Sequence, residues 1–511
     1  MTPPYLLILT LLPLAGAVVV AALPTGRDQL AKVTTLAITL VELAITIAMS
    51  AQFHANGPRF QFRLHYPWIP QFGTSFDFGV DGIALVLLAL IAVLVPVVVL
   101  GSWRDVEPGG RSVKTYFSLL LVLEACMVGV FVATDVFFFY VVFEVMLVPM
   151  YFIIGSFGGP RRQYAAVKFF LYSLAGGLLM LAAVIALFVI SKHGGGNGSF
   201  AFNNLVRLNI NPVTQRWLFL GFFIAFAIKA PLFPFHTWLP DAGTEAPIGG
   251  AVLLVGVLDK VGTFGLIRYC LPLFPDAAKF FAPMVLILAV IGILYGALLA
   301  VGQNDFKRLI SYTSIAHFGF IALGIFAFTT QGGSGAVLYM VNHGLSTGAL
   351  FLIVGFLITR RGSQLMSDFG GAAKLVPLIA GAFLIAGLSS LSLPGTNAFV
   401  SEFLVLLGTF STHRVYAILG TVGIIFAALY ILWMFQRMMW GRLNPGLPRM
   451  HDLTTREAWV IAPVLVLIVF LGVYPKPLLN VINPAVTATM HDIGRSDPVP
   501  TVAAAHTGGG K

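Results

Sequence analysis

The feature that most constrains this chain is a series of apolar stretches, each long enough to cross a lipid bilayer. A transmembrane helix needs about 20 mostly apolar residues, and the sequence contains about fourteen such stretches. Only 10% of the residues are charged, against roughly 25% in an ordinary soluble domain. The alternating pattern of a transmembrane β-barrel is missing, so we predict an all-α polytopic membrane protein. The predicted spans lie at about 4–23, 29–52, 80–102, 115–133, 136–157, 164–191, 213–239, 247–270, 279–300, 308–329, 334–359, 376–409, 415–436 and 458–475.

The distribution of lysine and arginine predicts the orientation of the chain. Basic residues are concentrated in alternate short loops, for example at Arg161–Arg162 and Arg360–Arg361, and such loops are typical of the cytoplasmic face. We therefore predict a multi-pass protein of the plasma (inner) membrane with both termini on the outer side. A net charge of +10 could also suggest nucleic acid, but no basic stripe interleaved with aromatic residues supports that partner. The segment 192–212 and the tail from about 480 read as flexible, solvated segments.

Motifs for cofactors and metals are missing from the sequence. Cys126 and Cys270 stand alone in apolar segments, so they cannot provide the ligands of an iron–sulfur cluster or a structural zinc. The sequence also contains no phosphate-binding GxxxxGK[ST] loop. We expect no cofactor and no metal in this chain, and no ATP hydrolysis by it.

Eight ionisable residues fall inside predicted spans, where each costs at least about 2.5–3.5 kcal/mol on insertion scales. A merely structural scaffold has no need of so many, and an intramembrane charge points to an ion pathway. They are Glu42, Glu124, Glu144, Lys168, Lys229, Asp259, Lys260 and Glu402.

Lys229 precedes a pair of prolines, Pro231 and Pro234, which should unwind the helix locally. Unwound backbone in a membrane is tolerated only where protein or water covers it, so the lysine should lie beside a hydrated break. The alternative is a lysine that reaches to the membrane interface. His236 follows the break and either lines it or caps it.

Glu144, midway along the fifth predicted span, is the expected partner of Lys229. Burial and a neighbouring carboxylate act in opposite directions on the proton affinity of a lysine. A change at the carboxylate can therefore switch the lysine between its charged and neutral forms. The alternative is a static buried pair that fixes two helices.

Lys260, His317 and His343 lie in the eighth, tenth and eleventh predicted spans. Histidine titrates near neutrality and can pass on a proton, although a single buried histidine is more often a packing residue. Together with the lysine they predict a relay, which would end at Glu402 after a second break at Pro394–Gly395. The weaker candidates are His236, Glu124, Lys168, Asp135 and Asp259.

An internal repeat divides the chain. Asp135 aligns with Asp305, and the run AVKFF at 166–170 aligns with AVLYM at 336–340. The two proline breaks recur at a similar distance, and repeats with matching interrupted helices point to an ion pathway near the midplane. We predict an N-terminal three-helix segment at 1–114, two inverted five-helix repeats at 115–270 and 279–440, and a last helix with a tail at 441–511.

The stretch from Lys229 to Pro247, KAPLFPFHTWLPDAGTEAP, resembles the signature of the antiporter-like subunits of respiratory complex I, relatives of the multi-subunit Na⁺/H⁺ antiporters. Glu144, Lys229 and Lys260 match that family in order and placement, and the resemblance covers essentially the whole chain. Glutamate rather than lysine at 402 and a length near 500 are similar to the M subunits of NADH-quinone oxidoreductase. One departure is Gly243, where the family usually has histidine.

The resemblance implies a proton route with Glu144 and Lys229 at its input, Lys260, His317 and His343 at its centre and Glu402 at its exit. It also implies that FMN, iron–sulfur clusters and quinone are bound by partner subunits. The expected partners are other membrane subunits, especially the L-type and N-type antiporter-like subunits, with the peripheral redox arm coupled indirectly and lipids around the chain. Two alternatives remain at this point: a subunit of a multi-subunit cation/proton antiporter, and a non-conducting membrane scaffold.

Overall fold

The computed structural model describes residues 4–106, 112–193 and 198–497, and these ranges are mostly helical. Twelve helices within them are long and apolar enough to cross a membrane, which confirms the predicted all-α polytopic class. The N-terminal segment consists of three long helices and one hairpin: α1 (Tyr5–Ala22), α2 (Asp28–Ala51), β1 (Gln61–Ile69), β2 (Thr74–Val80) and α3 (Gly82–Gly101).

The next part of the chain contains the first interrupted helices. Its elements are α4 (Val113–Val132), α5 (Val136–Val145), α6 (Leu147–Phe157), α7 (Arg162–His193), α8 (Phe202–Leu205), α9 (Pro212–Lys229), α10 (Trp238–Glu245), α11 (Ile248–Leu253), α12 (Lys260–Gly265) and α13 (Leu271–Leu273). Two π-helical turns, Leu254–Leu258 and Leu266–Cys270, join α11, α12 and α13 into one continuous rod. The predicted span 213–239 therefore stops at Lys229 and resumes at Trp238.

The remaining helices follow with short connections. They are α14 (Pro275–Val301), α15 (Phe306–Phe326), α16 (Thr330–Arg361), α17 (Pro377–Ser390), α18 (Asn397–Thr412), α19 (Arg414–Met439), α20 (Thr455–Val473) and α21 (Lys476–Asp492). The predicted span 376–409 is divided into α17 and α18, because Pro394 cannot donate a backbone hydrogen bond. The most buried of the long helical segments is the rod Ile248–Leu273, followed by α15 and α16, and these three form the centre of the molecule.

Two expectations of flexible segments are wrong in the described residues. The tail from about 480 forms α21, whose Ile482, Val486 and Met490 are buried against α16 and α3. These apolar residues recur every four positions, the spacing of one helical face. In the segment 192–212, α8 buries Phe202 and Leu205. Residues 194–197 and 498–511, also expected to be flexible, lie outside the described ranges.

The hairpin of β1 and β2 lies between the second and third predicted spans, where the sequence analysis predicted no regular structure. Its antiparallel register pairs Leu64 with Phe78 and Tyr66 with Phe76. The hairpin caps the start of α5, since the backbone N–H of Ser75 donates to Asp135 at 3.1 Å. The hairpin therefore holds the helix that carries Glu144.

Candidate functional site

The first helix interruption is closed by specific hydrogen bonds. Since Pro231 has no N–H, the next donor, Leu232, reaches back to the carbonyl of Ala227 at 2.9 Å. The carbonyl of Ile228 accepts instead from the indole Nε1 of Trp238 at 2.8 Å. The backbone groups freed by the break are thus satisfied inside the membrane, and Lys229 stands at its edge.

Lys229 is almost completely buried, with 1% of its surface exposed. Its Nζ has no hydrogen-bond partner among the described residues, and lies 5.3 Å from the ring centroid of Phe143 and 5.4 Å from that of Phe169. Aromatic faces attract a cation at this range but cannot accept its proton. The ammonium is therefore held in place without a fixed proton acceptor.

Glu144 lies one residue before the end of α5, where a single turn residue, Met146, separates α5 from α6 within the predicted fifth span. Its carboxylate packs directly on Gly177 of α7, and a methyl group at position 177 would overlap Oε1. Glu144 and Lys229 act on each other as charges, but the Oε1 atom, like Nζ of Lys229, has no hydrogen-bond partner among the described residues. The structure brings the predicted input pair together without locking it into a direct ion pair.

Lys260 follows a π-helical turn, a local widening of the helix that is common at functional sites. The turn frees the carbonyl of Val255, which accepts a hydrogen bond from Nζ of Lys260. Gly262 allows this helix to touch the first break, because a side-chain carbon there would lie 2.5 Å from the carbonyl oxygen of Phe226. The central lysine is thereby held next to the segment that ends at Lys229.

A series of close contacts continues from Lys260 through α16 and α15. Nζ of Lys260 lies 2.7 Å from Nδ1 of His343, and the ring of His343 lies 5.1 Å, centroid to centroid, from that of His317. Nδ1 of His317 lies 2.6 Å from the hydroxyl of Tyr339, which donates to Oε2 of Glu402 at 3.0 Å. All five residues are buried. The predicted relay residues are therefore adjacent in space.

Glu402 lies beside the second break. Ser392, with a φ of 62°, donates its hydroxyl proton to the same Oε2. The backbone N–H of Leu393 reaches five residues back to Leu388 at 3.0 Å, the same pattern that Leu232 shows in the first break. A carboxylate with two hydroxyl donors thus ends the described chain of contacts.

Two residues of this arrangement were not recognised fully from the sequence: Tyr339 was not predicted at all, and Asp259 was predicted only as a weaker candidate. Tyr339 links His317 to Glu402, and its position about one helical turn before His343 was the available signal, since residues four apart share a face. Asp259 acts electrostatically on both Lys229 and Lys260, and neither of its buried oxygens has a partner among the described residues. It is therefore close enough to influence the charge of both lysines, although it adjoins Lys260 along the helix.

Four weaker candidates lie apart from this chain. Lys168 forms an ion pair with Asp241 at 2.7 Å. Asp135 caps α5 by accepting from the N–H of Phe138 at 2.8 Å, and burial raises its pKa to about 6.

His236 and Glu124 complete that group. His236 lies within the first break, its ring centroid 5.7 Å from that of Phe233, and its Nδ1 has no hydrogen-bond partner among the described residues. Glu124, on α4, faces Glu42 rather than any member of the relay. Only the six main candidates, Glu144, Lys229, Lys260, His317, His343 and Glu402, follow one another towards the centre of the molecule.

Comparisons with known proteins agree with this arrangement. Residues 133–428 match the family model described as "NADH:quinone oxidoreductase/Mrp antiporter, TM". The chain is 48% identical to NADH-quinone oxidoreductase subunit M of Mycobacterium tuberculosis, covering 98% of this chain and 96% of the relative. It is 40% identical to the subunit of the same name from Rhodobacter capsulatus, covering 94% and 95%.

Solved structures show the same fold. A chain of respiratory complex I from Thermus thermophilus matches with a TM-score of 0.87 and 30% identity, over 96% of this chain and all of that one. A chain of the Mrp complex from Dietzia sp. matches with a TM-score of 0.84 over the same shares, but is only 20% identical, so that likeness concerns the fold alone. On the strength of the sequence relatives and of the matching family model, the chain belongs to the NADH:quinone oxidoreductase/Mrp antiporter family of membrane subunits, in the branch of the subunits M.

Proposed function

We propose that this chain is a proton-translocating membrane subunit of NADH-quinone oxidoreductase. The observation that carries the proposal is the buried sequence of contacts from Lys260 through His343, His317 and Tyr339 to Glu402. Its relatives at 48% and 40% identity bear the name of that enzyme. NADH oxidation and quinone reduction, with FMN and iron–sulfur clusters, would take place in partner subunits.

The geometry suggests how a proton moves. Lys260 donates to Nδ1 of neutral His343 across 2.7 Å, so transfer leaves a neutral amine and a charged imidazole. One water molecule can bridge the gap between the two histidines. His317 then gives the proton on Nδ1 to the oxygen of Tyr339 as the tyrosine releases its own proton to Glu402, and the tyrosine ends unchanged.

At the input, the charge of Glu144 decides how strongly Lys229 retains its proton. Lys229 has no fixed acceptor, and Asp259 acts on both lysines. A proton released by Lys229 would therefore pass towards Lys260. Because opposite charges stabilise one another more strongly in a poorly solvated interior, a change at Glu144 is felt at Lys229 without direct contact.

The two halves of the chain support the predicted domain division. Asp135 and Asp305 each cap the helix that follows them, by accepting from Phe138 and Arg308. Each break is closed by a bond to the fifth residue back. We take 115–270 and 279–440 as the two repeats, preceded by 1–114 and followed by 441–511. With five spans each, consecutive repeats cross the membrane in opposite senses.

The surroundings of the chain follow from the same proposal. It would lie in the plasma membrane with both termini outside, next to the L-type and N-type antiporter-like subunits. Lipid would cover the exposed apolar faces of helices such as α1, α2 and α19. The peripheral redox arm would act on the chain through other membrane subunits.

The proposal is tested in inverted membrane vesicles that contain the assembled complex. Lys260→Ala should abolish most NADH-driven acidification, whereas the matched control Lys374→Ala, at an exposed side chain between α16 and α17, should not. Acidification that persists in sodium-free buffer supports proton translocation, and a strict requirement for sodium would favour the antiporter alternative. Normal acidification by an assembled Lys260→Ala complex would favour the scaffold alternative.

A further inference from the structure

The buried face of α2 is polar and its outer face is apolar, the reverse of a soluble helix. Between the buried Ala31 and Met49 near its two ends, the stripe that turns inward consists of Lys32, Thr35, Thr39, Glu42 and Thr46. Their spacing of three and four residues places them on one face. Leu40, Val41 and Ile47 on the opposite side are exposed, as suits a lipid-facing surface.

Glu42 meets a second carboxylate across the interface with α4. It is 2% exposed and Glu124 is 0% exposed, and the two carboxyl groups act directly on each other. Oε1 of Glu42 and both carboxyl oxygens of Glu124 have no hydrogen-bond partner among the described residues. Buried polar atoms in native proteins are normally satisfied, so these oxygens require a ligand or a proton.

The pair lies deep in the membrane. Glu42 is about 21 Å from the first residue of α2 and about 14 Å from its last, at 1.5 Å per residue. Glu124 is about 16 Å and about 12 Å from the ends of α4 on the same measure. The two helices are separated by one span, so they run in the same sense and their carboxyl groups are at similar depth.

Among the described residues of the helices packed against α2, no cation is placed to neutralise the pair. Of the helices packed against α2, α3 is apolar throughout from Gly82 to Gly101, and α1 has only Tyr5 as a titratable group. On α4, Lys114 donates to the carbonyl of Leu23 and Tyr116 bonds Ser102. Lys32, three turns from Glu42 on α2 itself, lies over the ring of Trp103.

We propose that Glu42 and Glu124 form a second proton-binding site, separate from the relay, in which one proton is held between two carboxyl groups and exchanges along the polar stripe of α2. Two carboxylates that share a buried site cannot both be ionised. The bridging proton donates from one carboxyl to the other and satisfies two of the oxygens. Thr35 and Thr39 donate to carbonyls of their own helix, which leaves their oxygens free to accept from water along the stripe.

Carbodiimide labelling tests the site, because dicyclohexylcarbodiimide reacts with protonated carboxyl groups in apolar surroundings. The assembled complex in native membranes is labelled over a range of pH, and the adducts are located by mass spectrometry. We expect an adduct on Glu42 or Glu124 whose yield falls as the pH rises. The proposal would be overturned if neither carboxyl group is labelled while other buried carboxyl groups in the sample react. It would also be overturned if the labelling yield does not depend on pH, since such a yield indicates a carboxylic acid that does not exchange its proton.

Matched threonine variants test the exchange route. Thr39→Val removes one oxygen of the stripe, whereas Thr34→Val removes a hydroxyl outside the stripe, from the partly exposed position next to Thr35. We expect slower labelling at the pair only in Thr39→Val. Equal rates in the two variants would exclude the stripe as the route. Since labelling does not depend on pumping, the result is independent of whether the relay translocates protons.

Discussion

The hydroxyl of Tyr339 donates a hydrogen bond to Glu402 at 3.0 Å while its oxygen lies 2.6 Å from Nδ1 of His317. This tyrosine is the only direct link between the histidines and the carboxylate in the described part of the chain. A phenol can accept one proton and release another in a single step, so it transmits charge without holding it. The connection between the two halves of the relay therefore depends on one oxygen atom.

Tyr339→Phe removes that oxygen and keeps the ring. We expect proton pumping to fall about tenfold, equivalent to roughly 1.4 kcal/mol in a transfer barrier, while the complex still assembles. The measurement is the initial rate of acidification in inverted vesicles. Tyr116→Phe, which removes an equally buried hydroxyl outside the relay, is the control and should pump normally. Equal rates in the two variants would mean that protons do not pass through Tyr339.

Glu144→Gln tests the input pair. The amide is close in size to the carboxylate, so insertion and assembly should be unaffected, but the charge that acts on Lys229 is lost. Pumping and coupled NADH oxidation should both fall sharply. Gly177→Ala is a second probe, because its methyl group would displace the carboxylate without changing any charge. Near-normal pumping by an assembled Glu144→Gln complex would disprove control of Lys229 by this residue.

The central relay predicts an order of effects. Lys260→Ala removes the proton donor of His343 and should be the most harmful change. His317→Ala or His343→Ala alone should lower the rate of acidification less, since a water molecule can take the place of one missing histidine. Acidification rates of the three variants, normalised to the amount of assembled complex, give the order. A silent Lys260→Ala beside a harmful His317→Ala would make the lysine structural and the assigned relay wrong.

The sequence was sufficient for the parts of the fold that follow from hydrophobic length and from proline. Pro231 and Pro394 mark the two interruptions, because a missing N–H acts locally whatever the tertiary contacts. The ionisable residues within spans were equally visible, since their cost in a membrane is independent of the fold. The helix class and the six main site candidates therefore needed no coordinates.

What the sequence could not show depends on contacts between distant helices. The unsatisfied pair of Glu42 and Glu124 brings together residues 82 positions apart on helices that no motif relates. Tyr339 carries no charge, so its role became apparent only with His317 and Glu402 on either side. The helix α21 was overlooked because its weak apolar face becomes stable only against α16 and α3.

Asp135→Asn tests a pH-dependent contribution to stability outside the membrane spans. Burial raises the pKa of Asp135 to about 6, although the N–H groups of Phe138 and Ser75 oppose that shift. The folded protein binds this proton more tightly than the unfolded chain does, so the protonated carboxyl stabilises the fold. This contribution is complete at a pH below the ordinary pKa of aspartate, near 4, and is lost as the pH rises through about 6. Asparagine still caps α5 but does not titrate. Between pH 4 and 7 the free energy of unfolding of the wild type should therefore fall by up to about 3 kcal/mol relative to that of the variant. The measurement is the unfolding of the solubilised protein at each pH. Parallel pH profiles of the two proteins would contradict the assignment.

In the proposed relay, Glu402 accepts a proton from Tyr339 and releases it beside the second break. A carboxylic acid is neutral when it holds the proton, whereas a lysine at this position would be charged when loaded. Glu402→Asp should retain substantial pumping, because the chemistry is kept and only reach is lost. Glu402→Ala and Glu402→Gln should abolish most of it, since no titratable group remains. Glu402→Lys should pump poorly for two reasons. Lys260 and the histidines already carry a positive charge when they hold the proton, so a second cation would oppose the transfer. The hydroxyl groups of Ser392 and Tyr339, which donate to Glu402, would also point their protons at a cation. The measurement is pH-gradient formation in inverted vesicles with assembly checked in parallel, and wild-type pumping by Glu402→Ala would place the exit of the proton elsewhere in the chain.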